Sequence, residues 1–211
     1  ELSNLLPPVY APVLAGLPRW RASAPFDFDG LTAFYQENGC GLFARYRAFG
    51  WEDSLLRDSE SMSYVWEPAE DLWIIAIDGN TDSHSGWVDD KTLVWLDEVL
   101  TRAKEEGKAV LTFSHQNLVR HNARFPFGYT FGNAMEIREL LAGHGVSLNL
   151  SGHIHFQHIG SFDGIHEVTT SALSIAENHI GVVEIDPERK VTYQVRQLDV
   201  AGYAQAAGLT N

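Results

Sequence analysis

From Leu72 onward the chain alternates between short apolar runs and longer stretches with helical spacing. The run "LWIIAID" (72–78) is continuously apolar and closes on a polar residue, the pattern of a strand covered on both faces. In "DDKTLVWLDEVLTRAKEEG" (89–107), Leu93, Leu96, Val99, Leu100 and Ala103 follow three-four spacing, Asp89 and Asp90 sit where a helix dipole is positive, and Gly107 supplies a stop. A helix is predicted there. "KAVLTFSH" (108–115) reads as a second buried strand, and a loop from Gln116 to Gly132 leads to a helix in "NAMEIRELLAGHG" with Asn133 as its N-cap. "VSLNLSGHIH" (146–155) is then a third strand, giving the order β-α-β-α-β and an α/β fold class. Beyond it, "HEVTTSA", "HIGVVEI" and "KVTYQVRQL" are β-rich and separated by Gly, Asn, Asp and Pro, so the fold is expected to finish in antiparallel or mixed strands.

The flanks read differently. Pro7, Pro8, Pro12, Pro18 and Pro25 exclude one long helix, so residues 1–45 are taken as an accessory, wrapping segment with a short helix in "DGLTAFYQENG". Residues 46–200 form the main body and 201–211 a tail. Strands apolar on both faces need layers on both sides, and with only two strong helices in the sequence something further is expected to cover the sheet. Composition supports a folded domain: 45% of the 211 residues are hydrophobic and 20% charged. No apolar run approaches the roughly 20 residues of a membrane-spanning helix, so no membrane span is expected. A net charge of −13 opposes coating of nucleic acid. Cys40 is the single cysteine, which excludes an internal disulfide and a thiolate zinc cluster; a bound metal would be held by His, Asp, Glu or Asn.

Candidate chemistry collects at strand ends, where α/β sheets bind ligands. His115 ends the second predicted strand, and Gly152-His153-Ile154-His155 ends the third. Positions i and i+2 of an extended segment point the same way, so His153 and His155 are expected to share one space, with Gly152 allowing a sharp turn. If the two strands are neighbours, His115 joins them, and three neutral imidazoles suit zinc, manganese or iron. A solvent-facing histidine turn is the plain alternative. Asn117, His121 and Asn122, in the loop after His115, are candidates to line a substrate pocket and equally ordinary loop residues. "DGNTDSHSG", with Asp78, Asn80 and His84, is read as a turn. His144 is read as a surface residue at a helix end, and His166 and His179 are assigned no role.

Two of these blocks resemble motifs of the calcineurin-like metallophosphoesterase family, whose series runs Asp-X-His, Gly-Asp, Gly-Asn-His-Asp/Glu, a lone His, and Gly-His-X-His. "VLTFSHQN" resembles the lone-His block, with His115, and "LSGHIH" the closing block, with His153 and His155. Tyr46 to Asp78 is similar to the segment that precedes these blocks in a bacterial subgroup, so the likeness spans about Tyr46 to Leu198. It implies the C-terminal half of a metallophosphoesterase-type α/β sandwich. His115 and His153 would be ligands of one ion and His155 of its neighbour. In an intact enzyme two divalent ions (Mn, Fe or Zn) would activate a water that hydrolyses a phosphate ester. The sequence has no Gly-Asp block, its Gly-Asn pairs run on into Thr81 and Ala134, and its one Asp-X-His triplet, Asp82-Ser83-His84, falls in the predicted turn. The expectation is therefore a C-terminal fragment, inactive or nearly so alone, whose catalytic residues and carboxylate ligands lie on a missing N-terminal half of the same protein. His158 completes "HIHFQH", similar to the His-X-His-X-Asp-His signature of the metallo-β-lactamase fold with Gln157 in place of the aspartate, a lesser alternative. A reading of another class is a non-catalytic interaction domain derived from the phosphoesterase fold.

Overall fold

The computed structural model describes residues 51–80, 86–124, 128–172 and 178–208. The proline-rich segment 1–45 with its predicted short helix, and most of the predicted turn after Asn80, lie outside them. The chain divides into two units, and the architecture below is that of the second, Asp53–Asn211.

Its elements are β1 (Leu56–Arg57), β2 (Tyr64–Ala69), β3 (Leu72–Ile77), α1 (Asp90–Glu105), β4 (Ala109–Ser114), α2 (Ala134–Gly143), β5 (Leu148–Ser151), β6 (His158–Phe162), β7 (Ile165–Thr169), β8 (His179–Ile185), β9 (Val191–Gln197) and α3 (Val200–Ala206). The fold is mixed α/β. The predicted β-α-β-α-β unit is present, with β3, β4 and β5 in parallel pairing. They lie inside a seven-stranded sheet of order β1-β2-β3-β4-β5-β7-β6, where β7 adds a fourth parallel strand and the edges are antiparallel. β8 and β9 form a separate antiparallel pair. Sequence patterning missed β1, β2 and β6. Pro68 lies within β2 where the pairing with β3 loses register between Trp66 and Ala69, as a residue without an N–H would cause.

The core follows from strand alternation. Trp73, Ile75 and Ile77 of β3 are buried with Val65 of β2, with Leu96, Val99 and Leu100 of α1, and with Ile137 and Leu141 of α2. Each such aliphatic side chain contributes about 1.5–3 kcal/mol by leaving water. The opposite sheet face is also apolar, but Trp66 and Phe113 keep 44% and 37% of their surface exposed there. α1 ends as predicted: Gly107 adopts φ +69° and its N–H donates to the Lys104 carbonyl.

Asn133 departs from expectation. It precedes α2, yet its side chain makes no capping bond. Its amide instead clasps Val88 from 45 residues upstream, accepting from the Val88 N–H (3.2 Å) and donating to the Val88 carbonyl (2.7 Å). Both donor and acceptor are needed, which a helix cap does not require. Asn133→Asp should therefore lower stability by about 1–3 kcal/mol in urea unfolding, whereas a side chain serving only as an N-cap would tolerate aspartate.

Candidate functional site

A buried polar ladder crosses the parallel strands. Thr112, Asn149 and Glu167 are register partners on β4, β5 and β7. Thr112 Oγ1 donates to Asn149 Oδ1 (2.8 Å), and Asn149 Nδ2 donates to Ser114 Oγ (3.1 Å) and Glu167 Oε1 (2.7 Å). Glu167 is 0% exposed. Its oxygens also accept from the backbone N–H groups of Leu118 (2.8 Å) and Val119 (2.6 Å), and Oε2 lies 3.0 Å from His121 Nε2. Converging N–H donors suit a carboxylate, because a carboxylic acid would turn its own O–H against one of them.

This anchoring sets the path of the chain after β4. Asn117, expected to line a substrate pocket, is 1% exposed, and its amide donates to Ser151 Oγ (2.8 Å) and the Gly152 carbonyl (3.2 Å). The Gly152 N–H in turn donates to the His115 carbonyl (3.2 Å), so the ends of β4 and β5 are tied together. His115 and His153 are thereby brought together with their rings edge to face, 75° between planes, and His153 Nδ1 lies 3.0 Å from His115 Nε2. The other His153 nitrogen, Nε2, lies 2.8 Å from the Gly128 carbonyl. A carbonyl can only accept, so Nε2 carries the proton and Nδ1 of the neutral ring turns its lone pair toward His115.

The route to this pairing differs from the extended segment the sequence implied. His153 and His155 adopt φ of 66° and 58°, in the left-handed region. Each such residue costs about 1–2 kcal/mol. Between them Ile154 is buried, its N–H donating to the Gly152 carbonyl (2.7 Å). The chain folds back on itself, and the two-residue periodicity that would place His153 and His155 together does not apply. His155 is exposed. Partial burial depresses the His115 pKa, and the nearby charges of His153 and His155 push it further down. Among the described residues no three His, Cys, Asp or Glu side chains gather closely enough to hold an ion.

A second imidazole pair went unrecognised in the sequence. The His121 side chain, expected at a substrate pocket, is 1% exposed, with Nε2 on Glu167 and Nδ1 2.9 Å from His158 Nδ1. His158, which in sequence enters only the lesser metallo-β-lactamase likeness, supplies the exposed end of this chain of groups. The usable signal was Glu167: Ile165, Glu167 and Thr169 alternate on one face of β7 and all are fully buried, and a glutamate at an inward position marks a paired charge. Asp78 behaves as the predicted turn residue, accepting from the Asn80 N–H (3.1 Å).

For His115 a depressed pKa means that the folded state releases a proton the unfolded chain retains. Its contribution to stability is present above the ordinary histidine range and lost as pH falls through the folded value. Histidine-resolved NMR titration of the metal-free protein should find His115 titrating below the ordinary histidine value, and His153→Ala should move it upward.

No family model and no curated protein matches the chain. Among solved structures it is similar to a dimetal phosphatase from Danio rerio (15% identity, TM-score 0.44, 52% of this chain and 49% of that one). It is also similar to the anchor protein of the inner membrane complex of Plasmodium (17%, TM-score 0.40, 49% and 33%). A third is a candidate 5'-nucleotidase from Staphylococcus aureus, solved with alpha-ketoglutarate (10%, TM-score 0.42, 74% and 36%). The matched region spans about half or less of the length of each of these structures.

Proposed function

We propose that this chain supplies the imidazole half of a metal-dependent phosphoesterase centre. The observation that carries the reading is the pair His115 Nε2 and His153 Nδ1, 3.0 Å apart at adjacent parallel strand ends, in the two sequence blocks that resemble the family's last two motifs. The donor set fits part of the requirement. Two neutral imidazoles suit one divalent ion of the zinc, manganese or iron group, with His155 offered to a neighbouring ion from the same loop. The carboxylates needed to bridge a pair of ions are not among these residues, and their source in this reading is the N-terminal half of the same protein. A pair of divalent ions, if held there, would supply Lewis acidity toward a phosphoryl group and activation of a water near neutral pH.

The chain's own residues orient and hold. Gly128 selects the His153 tautomer through its carbonyl. Asn117 locks the Gly152 turn. Depression of the His115 pKa keeps its ring unprotonated, and so available as a ligand, to lower pH than an ordinary histidine. The substrate class is a phosphate ester.

The test uses p-nitrophenyl phosphate with manganese or zinc. The longer protein should turn it over, and His153→Ala should reduce kcat/KM by about 100-fold or more, beyond the 10–100-fold typical of losing a residue behind a ligand. The 211 residues alone should show little or no turnover; robust hydrolysis by them would mean the site has been misassigned. A longer protein that takes up no ion and hydrolyses no phosphate ester would favour the non-catalytic interaction domain.

A further inference from the structure

We infer that His121 and His158 form a second, separate ion site, taking a divalent first-row transition ion of the zinc type, with Glu167 as the carboxylate behind it. The inference stands on this cluster alone and does not depend on the phosphoesterase reading.

Glu167 fixes the chemistry of the pair. Its buried oxygens are met by the N–H groups of Leu118, Val119 and Asn149, so the contact at His121 Nε2 is an N–H donated to the carboxylate. The neutral His121 ring then has one lone pair left, on Nδ1, and that atom faces His158 Nδ1 at 2.9 Å. Two imidazole nitrogens that face each other so closely must share something positive. A proton serves in the absence of metal, with one ring donating to the other. A metal ion serves equally, because nitrogens bound about 2.0–2.1 Å from one zinc stand roughly 2.8–3.4 Å apart for angles from square to tetrahedral. Opening the pair by a few tenths of an ångström suffices.

The surroundings match this use. A carboxylate accepting the far N–H of a ligating histidine sets its tautomer and raises its basicity. The ring of His121 is held in place: Gly160, the register partner of Glu167, lies beneath it, and a Cβ there would stand 3.1 Å from His121 Nδ1 and Cε1. His158 is exposed on β6, next to the Phe156 ring at 6.2 Å between centroids. An ion therefore enters from solvent, and water or an external ligand completes its coordination. Imidazole donors select zinc, nickel or copper over magnesium and calcium. Bound there, the ion links the edge strand β6 to the segment that carries His121.

The experiment is a zinc titration of the 211-residue chain followed by histidine side-chain nitrogen-proton NMR, which reports each imidazole nitrogen separately. Zinc should shift Nδ1 of both His121 and His158 to the coordinated range while His121 Nε2 stays protonated. His158→Ala, a change at an exposed position, should weaken the uptake reported by His121 by about tenfold or more and leave the response of His115 and His153 in place. The inference is overturned if zinc leaves the His121 and His158 nitrogens unmoved, if His121 responds through Nε2, or if His158→Ala does not change the affinity read at His121.

Discussion

The fully buried carboxylate of Glu167 is the constraint around which the segment after β4 is organised. A charge in that position is tolerated only if every oxygen is met by donors, and removing one partner of such a buried group costs about 3–5 kcal/mol. The donors come from three places: the backbone of Leu118 and Val119, the Asn149 side chain on the neighbouring strand, and His121. The segment after β4 cannot leave the sheet freely. It must pass over β5 to β7 with two successive N–H groups pointing down, and the side chains of Leu118 and Val119 are buried as a result.

That passage positions the rest. Held at Leu118, the chain delivers Asn117 to Ser151 and Gly152, and Asn117 in turn holds the turn that carries His153 toward His115. Further along it delivers His121 to His158. The two imidazole pairs thus hang from one loop, with opposite supports: a neutral carbonyl, that of Gly128, behind His153, and a carboxylate behind His121. A carboxylate places more negative potential beside the ring it supports than a carbonyl does. Left-handed backbone at His153 and His155 is the strain stored in this arrangement, and the buried Ile154 between them is what holds it.

Much of the framework was legible from patterning. The β3-α1-β4-α2-β5 order, the Gly107 stop and the placement of His115 and His153 at strand ends follow from apolar periodicity and turn chemistry, and the pairing of β4 with β5 makes those ends adjacent. What patterning missed has specific causes. β2 was hidden by Pro68, and β6, "HIGSF", has exposed or half-buried positions throughout, leaving no inward apolar stripe to detect. Asn133 looked like a helix cap because the cap position favours asparagine, but its partner, Val88, lies on a distant loop that no local rule can name.

Sequence alone determined the alternation of buried strands and helices through the core and which residue types stand at the strand ends, because burial on both faces and helical spacing are written locally in apolar positions; that β7 lies parallel beside β5 was decided by the tertiary structure. It could not decide which histidines meet. His153 and His155 are two apart and His121 and His158 are 37 apart, yet it is the distant pair whose rings touch, at 2.9 Å. The alternation rule fails where the backbone turns left-handed, and the long-range pairing exists only because a buried charge on β7 draws the loop across the sheet to satisfy it.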